Sequence, residues 1–261
     1  MSTETIYAAV IRICRRRHPC PGGKHLDIGA GRGELIRNLG EAISPKSFAC
    51  DFHAERFAAG NTPCEKVNLN LEPLPYPDAG FELVTCSEVV EHLENYRALL
   101  REAFRVAQPG GLLIVTTPNV LNANSRVRYV CSGFANLFGP LPVRNDKLYS
   151  TGGHISPIAY FYLAHALLDA GFEKVELDID KVQRTSVLWL AVLFPFMLVG
   201  WLRFMARERG RFKTITAENE PLVKSHFSWR VLVGRTIVLS AVKPGKAAPV
   251  LEGDAQAAAH R

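Results

Sequence analysis

Length, composition and charge narrow the possible classes of protein. The chain has 261 residues, of which 48% are hydrophobic and 21% charged, and its formal net charge is +6. This is enough for one α/β domain with a full core and an added segment, and two independent domains are disfavoured. Clustered positive charge attracts nucleic acid and anionic membranes alike, so the positions of the cations must decide between these partners.

The N-terminal segment and the cysteines indicate a cytoplasmic protein. Apolar residues recur at helical spacing from Thr3 to Arg17, and the basic cluster at Arg15 to Arg17 follows the apolar stretch, whereas a secretory signal carries its charge first. The cysteines contain no C-x-x-C pair and are interpreted as reduced thiols, with a zinc site as a minor alternative. They are Cys14, Cys20, Cys50, Cys64, Cys86 and Cys131.

Strand and helix patterns alternate in the first half of the chain. The strand-like runs are KHLDIG, SFACDF, EKVNL, FELVTCS and GLLIVTTP. Helices are expected from about Gly33 to Leu39, around Ala54 to Ala59 and from Asn95 to Ala107. Such alternation is typical of a mostly parallel sheet covered by helices.

The second half continues this pattern around an unusual insertion. Ser156 and Pro157 predict the N-cap and first turn of a helix that runs to Ala170, since proline suits the first turn of a helix. Alternation in FEKVELDID and RTIVLSAV then predicts strands six and seven. An apolar and basic insertion, 181–234, separates these strands, and the tail, 244–261, is expected to be mobile because it has no periodic apolar face.

A glycine-rich turn follows the first predicted strand, with Asp27, Ile28, Gly29, Ala30, Gly31, Arg32 and Gly33 in sequence. Glycines allow a tight turn and let a ligand lie against bare backbone, although an ordinary turn between a strand and a helix has the same pattern. Asp51 ends the second strand about twenty residues later, where acids of nucleotide-binding sheets accept hydrogen bonds from ribose hydroxyls. Phe52 is placed to pack on an adenine. A solvated carboxylate at Asp51 is the alternative, and the spacing disfavours it.

The segment VNLNLEPLPYPDAGFELVTCSEVVEHL adds a third strand that ends at Asn68 and a fourth that ends at Cys86 to Glu88. With the preceding motifs, it resembles the class I S-adenosylmethionine-dependent methyltransferases that act on small molecules and lipids, such as quinone-pathway and polysaccharide-cluster enzymes. The resemblance runs from about Lys24 to Val175. It implies a Rossmann-like α/β fold with a seven-stranded, mostly parallel sheet, helices on both faces and an antiparallel last strand.

The predicted elements give domain bounds, and the resemblance implies a cofactor site. An N-terminal helix, 1–20, would precede a methyltransferase domain formed by 21–180 and 235–243. Asn68 departs from the aspartate that is commoner there, but an amide oxygen can still accept from the adenine amino group. The residues implied to contact S-adenosyl-L-methionine are Asp27, Gly29, Ala30, Gly31 and Gly33 at its methionine and ribose end, Asp51 at the ribose, Phe52, Asn68 and Leu69 at the adenine, and Ser87, Glu88 and His92 at the methionine moiety.

Two histidines are the candidate catalytic residues. Methyl transfer from a sulfonium mainly requires in-line positioning, but a hydroxyl acceptor benefits from a base. His92 and His154 suit that role because imidazole titrates near neutral pH. The alternatives are a packing or cofactor-contacting role for His92 and a loop or capping role for His154. Glu91 and His92 could instead hold a divalent metal, as in some quinone-pathway relatives, but without an evident third ligand no metal is predicted.

The insertion contains an uncharged apolar run of 16 residues, Val187 to Leu202, which as a helix spans about 24 Å, short of a hydrocarbon core of roughly 30 Å. A single crossing would place strands six and seven on opposite sides of the membrane. The run is therefore expected in the protein core, in an oligomer interface or in one leaflet, with a kink at Pro195. Flanking cations and tryptophans favour peripheral attachment to an anionic cytosolic membrane face. They are Lys181, Arg184, Arg203, Arg207, Arg209, Arg211, Lys213, Trp189 and Trp201.

These features predict methyl transfer to an oxygen, or a carbon, of an amphiphilic or lipid-linked small molecule, such as a polyprenyl-quinone precursor or a lipid-linked saccharide. Two alternatives stay open: a soluble methyltransferase whose insertion covers the active site or forms a dimer, and a cofactor-binding scaffold without catalysis. Nucleic acid is disfavoured because the sequence has no base-reading motif. The stretch from Asn119 to Gly153 is expected to cover the acceptor, with anion contacts from Arg126, Arg128 and Arg144 and apolar contacts from Phe134, Leu137, Phe138 and Leu141.

Overall fold

The computed structural model describes residues 2–17, 23–43, 45–141 and 153–245. The strands within these ranges are β1 (Lys24–Ile28), β2 (Lys46–Asp51), β3 (Cys64–Lys66), β4 (Phe81–Ser87), β5 (Ala107–Pro118), β6 (Glu173–Ile179) and β7 (Thr236–Val242). The α-helices are α1 (Ser2–Arg17), α2 (Glu34–Ile43), α3 (Tyr96–Val106), α4 (Ala123–Ser132), α5 (Tyr160–Asp169), α6 (Arg184–Arg207), α7 (Glu220–Ser225) and α8 (Trp229–Val233). Arg144, Cys20 and nearly all of the predicted mobile tail lie outside the described residues.

The strands form one sheet in the order β3-β2-β1-β4-β5-β7-β6. The first five strands pair in parallel, whereas β7 runs antiparallel to both β5 and β6. This confirms the predicted Rossmann-like fold, including its antiparallel last strand. Because β1 lies between β2 and β4, the strand order reverses there, and ligands of such sheets bind at the carboxyl ends of the strands beside that switch point.

The sheet separates two apolar layers. Successive side chains of a strand point to opposite faces, and β5 shows this clearly. Leu113 and Val115 belong to the buried cluster that includes side chains of α3 and α5. Leu112 and Ile114 belong to the cluster that includes side chains of α1 and α2. Helices therefore cover both faces, as predicted, and hold the strand ends in fixed positions.

The basic end of α1 is tied to the last two strands. Arg16 forms an ion pair with Glu176 at 2.8 Å. Arg17 donates hydrogen bonds to the carbonyl of Ser240 at 3.0 Å and to that of Lys174 at 2.9 Å. Two arginines of the predicted basic cluster are therefore engaged within the molecule, which leaves less charge at this end for a polyanion.

Two predicted elements near the sheet edge differ from the structure. The expected helix around Ala54 to Ala59 is a single 3-10 turn, Ala54–Arg56, because the chain then becomes extended at Phe57. The third strand ends at Lys66 and not at Asn68. Asn68 instead begins a turn, since its carbonyl accepts from the backbone N–H groups of Leu71 and Glu72.

The predicted N-cap at Ser156 is wrong, because α5 begins at Tyr160 after Ala159. The polar groups of Ser156 are used elsewhere. Its backbone N–H donates to the Glu91 carbonyl at 2.9 Å, and its hydroxyl donates to the Leu93 carbonyl at 2.6 Å. These tertiary hydrogen bonds fix the segment before α5 to the 3-10 turn that follows β4, Val90–His92, and to Leu93 after it, where the candidate site lies.

The helix α6 extends beyond the predicted apolar run and contains Pro195. Its 24 residues correspond to a length of about 36 Å. Together with the short π-helix after it, Glu208–Phe212, this helix is long and apolar enough to cross a membrane, yet only 11% of its most apolar window is buried. The alternative of a core helix is therefore wrong, because most of its apolar side chains face outward.

Candidate active site

The glycine-rich turn after β1 has the backbone conformation that its sequence predicts. Gly29, Gly31 and Gly33 have φ of +70°, +54° and +78°, in the left-handed region that favours glycine. A Cβ on Gly29 would lie 2.3 Å from the Val89 side chain, and one on Gly33 would lie 2.4 Å from Ala59. A Cβ on Gly31 would meet nothing within 4 Å. Two glycines thus permit close packing, and the third borders open space that suits a ligand.

Asp51 connects the end of β2 to this turn. The Gly31 N–H donates to one carboxylate oxygen at 2.8 Å, and the His53 N–H donates to the other at 2.6 Å. Each oxygen keeps a further lone pair, since an ionised carboxylate offers about four acceptor positions. Phe52 is half-buried and contacts the His53 ring edge to face at 5.0 Å. The structure therefore brings Asp51 and the glycine-rich turn together.

Asp27 lies at the base of the same turn and is fully buried. The Thr85 hydroxyl donates to its carboxyl at 2.7 Å, and Thr85 in turn lies 2.8 Å from a ring nitrogen of His25. Burial raises the pKa of Asp27 to about 7, against the opposing effect of the Thr85 hydrogen bond. Asp27 is thus a buried, hydrogen-bonded support of the turn, and its predicted contact with cofactor stays a prediction.

The predicted adenine contacts follow β3. The Asn68 side-chain oxygen accepts from the Asn70 N–H at 3.1 Å, and the Asn68 N–H donates to Glu72 at 3.0 Å. Leu69 is half-buried and packs against the main apolar cluster. Asn68 therefore holds its own turn and keeps one acceptor position, so both adenine contacts stay predictions.

The end of β4 carries strained and buried polar groups. Ser87 has a buried hydroxyl that forms no hydrogen bond within the described part of the chain. Glu88 has a φ of +57°, which is uncommon for a residue with a side chain and is concentrated at functional sites. The Thr116 hydroxyl donates to the Glu88 carboxylate at 3.0 Å. Burial raises the pKa of Glu88.

Glu91, His92 and His154 form a cluster beside this strand end. Each offers a ligand atom within 4.8 Å of the others, and the two imidazole rings meet edge to face at 4.8 Å. Phe138 lies 5.2 Å from the His154 ring. One oxygen of Glu91 and Nδ1 of His154 are buried without a hydrogen-bond partner among the described residues. The structure therefore brings together the two predicted catalytic histidines.

The protonation of the cluster suits proton transfer. Nδ1 of His92 donates to the Gly153 carbonyl at 2.9 Å, so Nε2 of the neutral ring is an acceptor. Burial lowers the pKa of His92 and of His154, which keeps both rings neutral at pH 7. Burial, followed by the nearby Glu88 charge, raises the pKa of Glu91 well above its usual value.

The same three residues could also ligate a divalent cation, since imidazole and carboxylate are common ligands of zinc. As metal ligands, only Glu91 and His92 were predicted from the sequence. His154 is distant from them along the chain, and the fold brings it beside them. Thr116 and Thr117, whose hydroxyls donate to Glu88 and Glu91, were also not predicted. These threonines could have been found from the sequence, because they end the strand that was expected to lie beside the fourth strand. The prediction of no metal stays a prediction.

Three features beside the strand ends suit S-adenosyl-L-methionine as the cofactor. Gly31 borders open space, and the orphaned Ser87 hydroxyl offers an unused polar group. Asp51 retains acceptor capacity for ribose hydroxyls. The ligand needs open space and polar partners, and these residues offer both. The assignment of each contact stays a prediction.

Comparison with known proteins relates these features to a family. The sequence pattern described as "Methyltransferase domain" matches residues 8–177. A probable S-adenosylmethionine-dependent methyltransferase of Mycolicibacterium smegmatis is 32% identical over 111 residues, which cover 40% of this chain and 42% of that protein. A demethylmenaquinone methyltransferase of Corynebacterium urealyticum is 31% identical over 160 residues, which cover 60% of this chain and 64% of that protein.

A solved structure supports the fold. An S-adenosylmethionine-dependent methyltransferase of Archaeoglobus fulgidus superposes with a TM-score of 0.54 at 19% identity, covering 91% of this chain and 94% of that chain. The chain spans less than two thirds of the length of the two curated relatives, at 42% and 64%. Residues 8–177, which the methyltransferase pattern matches, include the glycine-rich turn, Asp51 and the end of β4.

Proposed function

The chain belongs to the family of S-adenosylmethionine-dependent methyltransferases, and from this premise we propose that it methylates an oxygen, or a carbon, of an amphiphilic or lipid-linked small molecule at the cytosolic face of a membrane. The relative from Corynebacterium urealyticum is named for demethylmenaquinone, which supports a small-molecule acceptor. The observation that carries the membrane part of the proposal is the outward-facing apolar surface of α6.

In the proposed site, Asp51 accepts hydrogen bonds from the ribose, and the glycine-rich turn lies along the methionine and ribose end of the cofactor. Ser87 and Glu88 lie beside the methionine moiety. When bound, S-adenosyl-L-methionine supplies a methyl group activated by a sulfonium. The chain therefore has to position an acceptor and, for a hydroxyl, remove its proton.

His92 is the proposed proton acceptor. Its Nδ1 is held by the Gly153 carbonyl, which leaves Nε2 unprotonated in the neutral ring. The His154 ring contacts it edge to face and presents a second nitrogen without a partner among the described residues. His154 can receive the proton directly or orient the acceptor. A carbon acceptor that is already nucleophilic would depend less on either ring.

The exposed face of α6 has the form of a membrane-binding surface. Leu188, Val192 and Phe196 follow one another at intervals of four residues, on one side of the helix. Their exposures are 70%, 62% and 76%, unusually high for neighbouring apolar side chains, and such patches mark interaction sites. Burying this face in the interfacial region of a bilayer would remove it from water.

The opposite side of α6 is bound to the domain, which favours an orientation in the plane of the membrane. The Ser186 hydroxyl donates to Asn122 at 3.0 Å, and Trp201 stacks on Phe227 with ring centroids 4.9 Å apart. The two ends of the insertion lie side by side, because Val182 and Gly234 form an antiparallel β-bridge. A crossing of the bilayer would break these contacts, whereas in-plane binding preserves them.

Cations at both ends of α6 add electrostatic attraction to anionic lipids. Arg184 and Arg203 are exposed and form no ion pair within the described ranges. Arg209, by contrast, pairs with Glu220, so it contributes less to the attraction between the protein and anionic lipids. The combination of an apolar face and nearby unpaired cations supports peripheral attachment over a simple active-site cover.

Vesicle flotation tests this attachment. The wild-type protein should float with vesicles that contain an anionic phospholipid, and less with neutral vesicles or at high salt. The variant Leu188→Ser/Phe196→Ser should lose at least about tenfold in partitioning, because each side chain would otherwise bury an apolar group worth up to roughly 1.5–3 kcal/mol. The matched control Leu71→Ser/Leu168→Ser changes exposed leucines outside the insertion and should bind as the wild type does.

Two results would contradict membrane attachment: wild-type protein that stays with the buffer, or a double variant that floats as well as its control. Either would favour the soluble enzyme whose insertion covers the active site or forms a dimer.

A further inference from the structure

A cavity of about 880 Å³ lies beneath α6. Its walls come from α6, from the start of α5, from Leu121 and Arg126 near α4, and from the chain between Thr214 and Phe227. The volume is within the range of small-molecule sites, which are mostly apolar with a few converging polar groups. This cavity has that composition.

The polar part of the cavity contains a partly buried cation. The Nε of Arg126 donates to the Leu121 carbonyl at 2.6 Å, while its other two nitrogens have no acidic partner among the described residues. Beside it, Nδ1 of His226 is buried and also lacks a hydrogen-bond partner there. Burial, assisted by the Arg126 charge, lowers the pKa of His226 to about 4. The imidazole is therefore neutral, and Arg126 is the local positive charge.

An anion bound in the cavity would pair with the partly buried positive charge of Arg126. A cation removed from water is costly unless it is paired and hydrogen-bonded. A phosphate or carboxylate oxygen can accept two parallel bonds from a guanidinium. The neutral His226 ring can add a hydrogen bond through Nδ1 in the appropriate tautomer.

The rest of the cavity is apolar and continues to the surface. Trp201 and Phe204 of α6 line it together with Phe227, and Trp201 stacks on both of these rings. Phe204 is also 44% exposed. An apolar chain could therefore extend along aromatic side chains from the cavity towards the outer face of α6.

Two chain segments connect this cavity with the candidate active site. Ala159 lines the cavity, and only a short segment of chain separates it from His154. Arg126 lies on α4, and the chain after α4 places Phe138 against His154, 5.2 Å between ring centroids. The cavity and the histidine pair thus share their supporting segments.

We propose that this cavity binds an amphiphile with one anionic head group, a phosphate or a carboxylate, which pairs with Arg126 and hydrogen-bonds His226 while its apolar chain lies along Trp201 and Phe204. The assignment of this ligand as the methyl acceptor rests on the proposed function. The presence of the binding site itself does not depend on methyl transfer or on membranes.

Calorimetric titration of the full chain in the absence of membranes tests the site. Octyl phosphate combines both parts of the ligand, octanol supplies the apolar part, and inorganic phosphate supplies the anion. We expect octyl phosphate to bind at least tenfold more tightly than either of the other two, because only it satisfies Arg126 and the aromatic wall together.

Two variants separate the contributions. Arg126→Gln should weaken octyl phosphate binding by roughly tenfold to a hundredfold, the usual worth of a hydrogen bond to a charged group, and leave octanol binding unchanged. Gly200→Leu should weaken both ligands, because it adds a side chain to a cavity-lining position where a Cβ meets nothing within 4 Å. Leucine also suits a helix better than glycine, so this variant should fold.

Matched controls are Arg101→Gln, on exposed α3 surface, and Gly40→Leu, where an added Cβ also meets nothing within 4 Å; both should bind as the wild type does. Equal affinity of wild type and Arg126→Gln for octyl phosphate would overturn the head-group assignment. Absence of octyl phosphate binding, or binding unaffected by Gly200→Leu, would overturn the cavity. Neither result bears on vesicle flotation, so a failure here is distinguishable from a failure of the proposed function.

Discussion

Asp51→Ala is expected to lower the affinity for S-adenosyl-L-methionine roughly a hundredfold or more. The proposed ribose contacts are two hydrogen bonds to a charged oxygen pair, each worth about 1.5–3 kcal/mol. In the wild-type protein the carboxylate also accepts hydrogen bonds from the N–H groups of Gly31 and His53 at 2.8 and 2.6 Å. The substitution removes both of these hydrogen bonds. Isothermal titration calorimetry with the cofactor measures the loss directly.

The controls separate the ribose contact from the support of the turn. Asp51→Asn keeps an oxygen that can accept one N–H and should retain an intermediate affinity. Glu65→Ala removes an exposed carboxylate from the neighbouring strand β3 and should leave the affinity unchanged. Wild-type affinity in Asp51→Ala would remove Asp51 from the proposed cofactor site.

Replacement of His92 by alanine is expected to reduce kcat by about 10²- to 10⁴-fold for a hydroxyl acceptor, the usual contribution of a general base. His154→Phe should also reduce kcat while keeping an aromatic ring against Phe138 and His92. The affinity for S-adenosyl-L-methionine should be unchanged in His154→Phe. The rate of labelled methyl incorporation into an extract of membrane lipids measures both effects.

The pH dependence of kcat gives an independent test of the base. A base acts in its neutral form, and burial lowers the pKa of both His92 and His154 below 6.5. The neutral fraction therefore persists below pH 6.5, and the acid limb of the wild-type profile should lie there. An acid limb above pH 6.5, or one that is unchanged in His92→Ala, would contradict this role.

Chelation distinguishes a base from a metal site. If the histidines act as bases, treatment with EDTA should leave the rate unchanged. A rate that falls with EDTA and returns with a divalent cation would instead assign Glu91, His92 and His154 as ligands.

The parts of the site that depend on strand ends were predictable from the sequence. Gly31 and Asp51 are distant along the chain, but parallel neighbouring strands place their carboxyl ends at one edge, so their contact follows from the order of strands. The pairing of His92 with His154 was not predictable in the same way. It depends on tertiary hydrogen bonds, such as the one from His92 to the Gly153 carbonyl.

Local rules failed where tertiary contacts compete with them. Ser156 has the sequence context of an N-cap, yet its hydroxyl bonds the Leu93 carbonyl, and α5 begins four residues later. The apolar run at Val187 to Leu202 fits a core helix and a surface helix equally well by composition. The structure distinguishes these possibilities, because Leu190 is the only buried residue of this run, and the other two buried residues of α6, Ser186 and Met205, lie outside the run.

The most direct test of the central proposal is to incubate purified protein with methyl-labelled S-adenosyl-L-methionine and, separately, the membrane and soluble fractions of the organism that encodes it. We expect label in a product that extracts into organic solvent from the membrane fraction, and its loss with Asp51→Ala. Label confined to a water-soluble product of the soluble fraction, or no protein-dependent label in either fraction, would contradict methylation of an amphiphilic acceptor at a membrane.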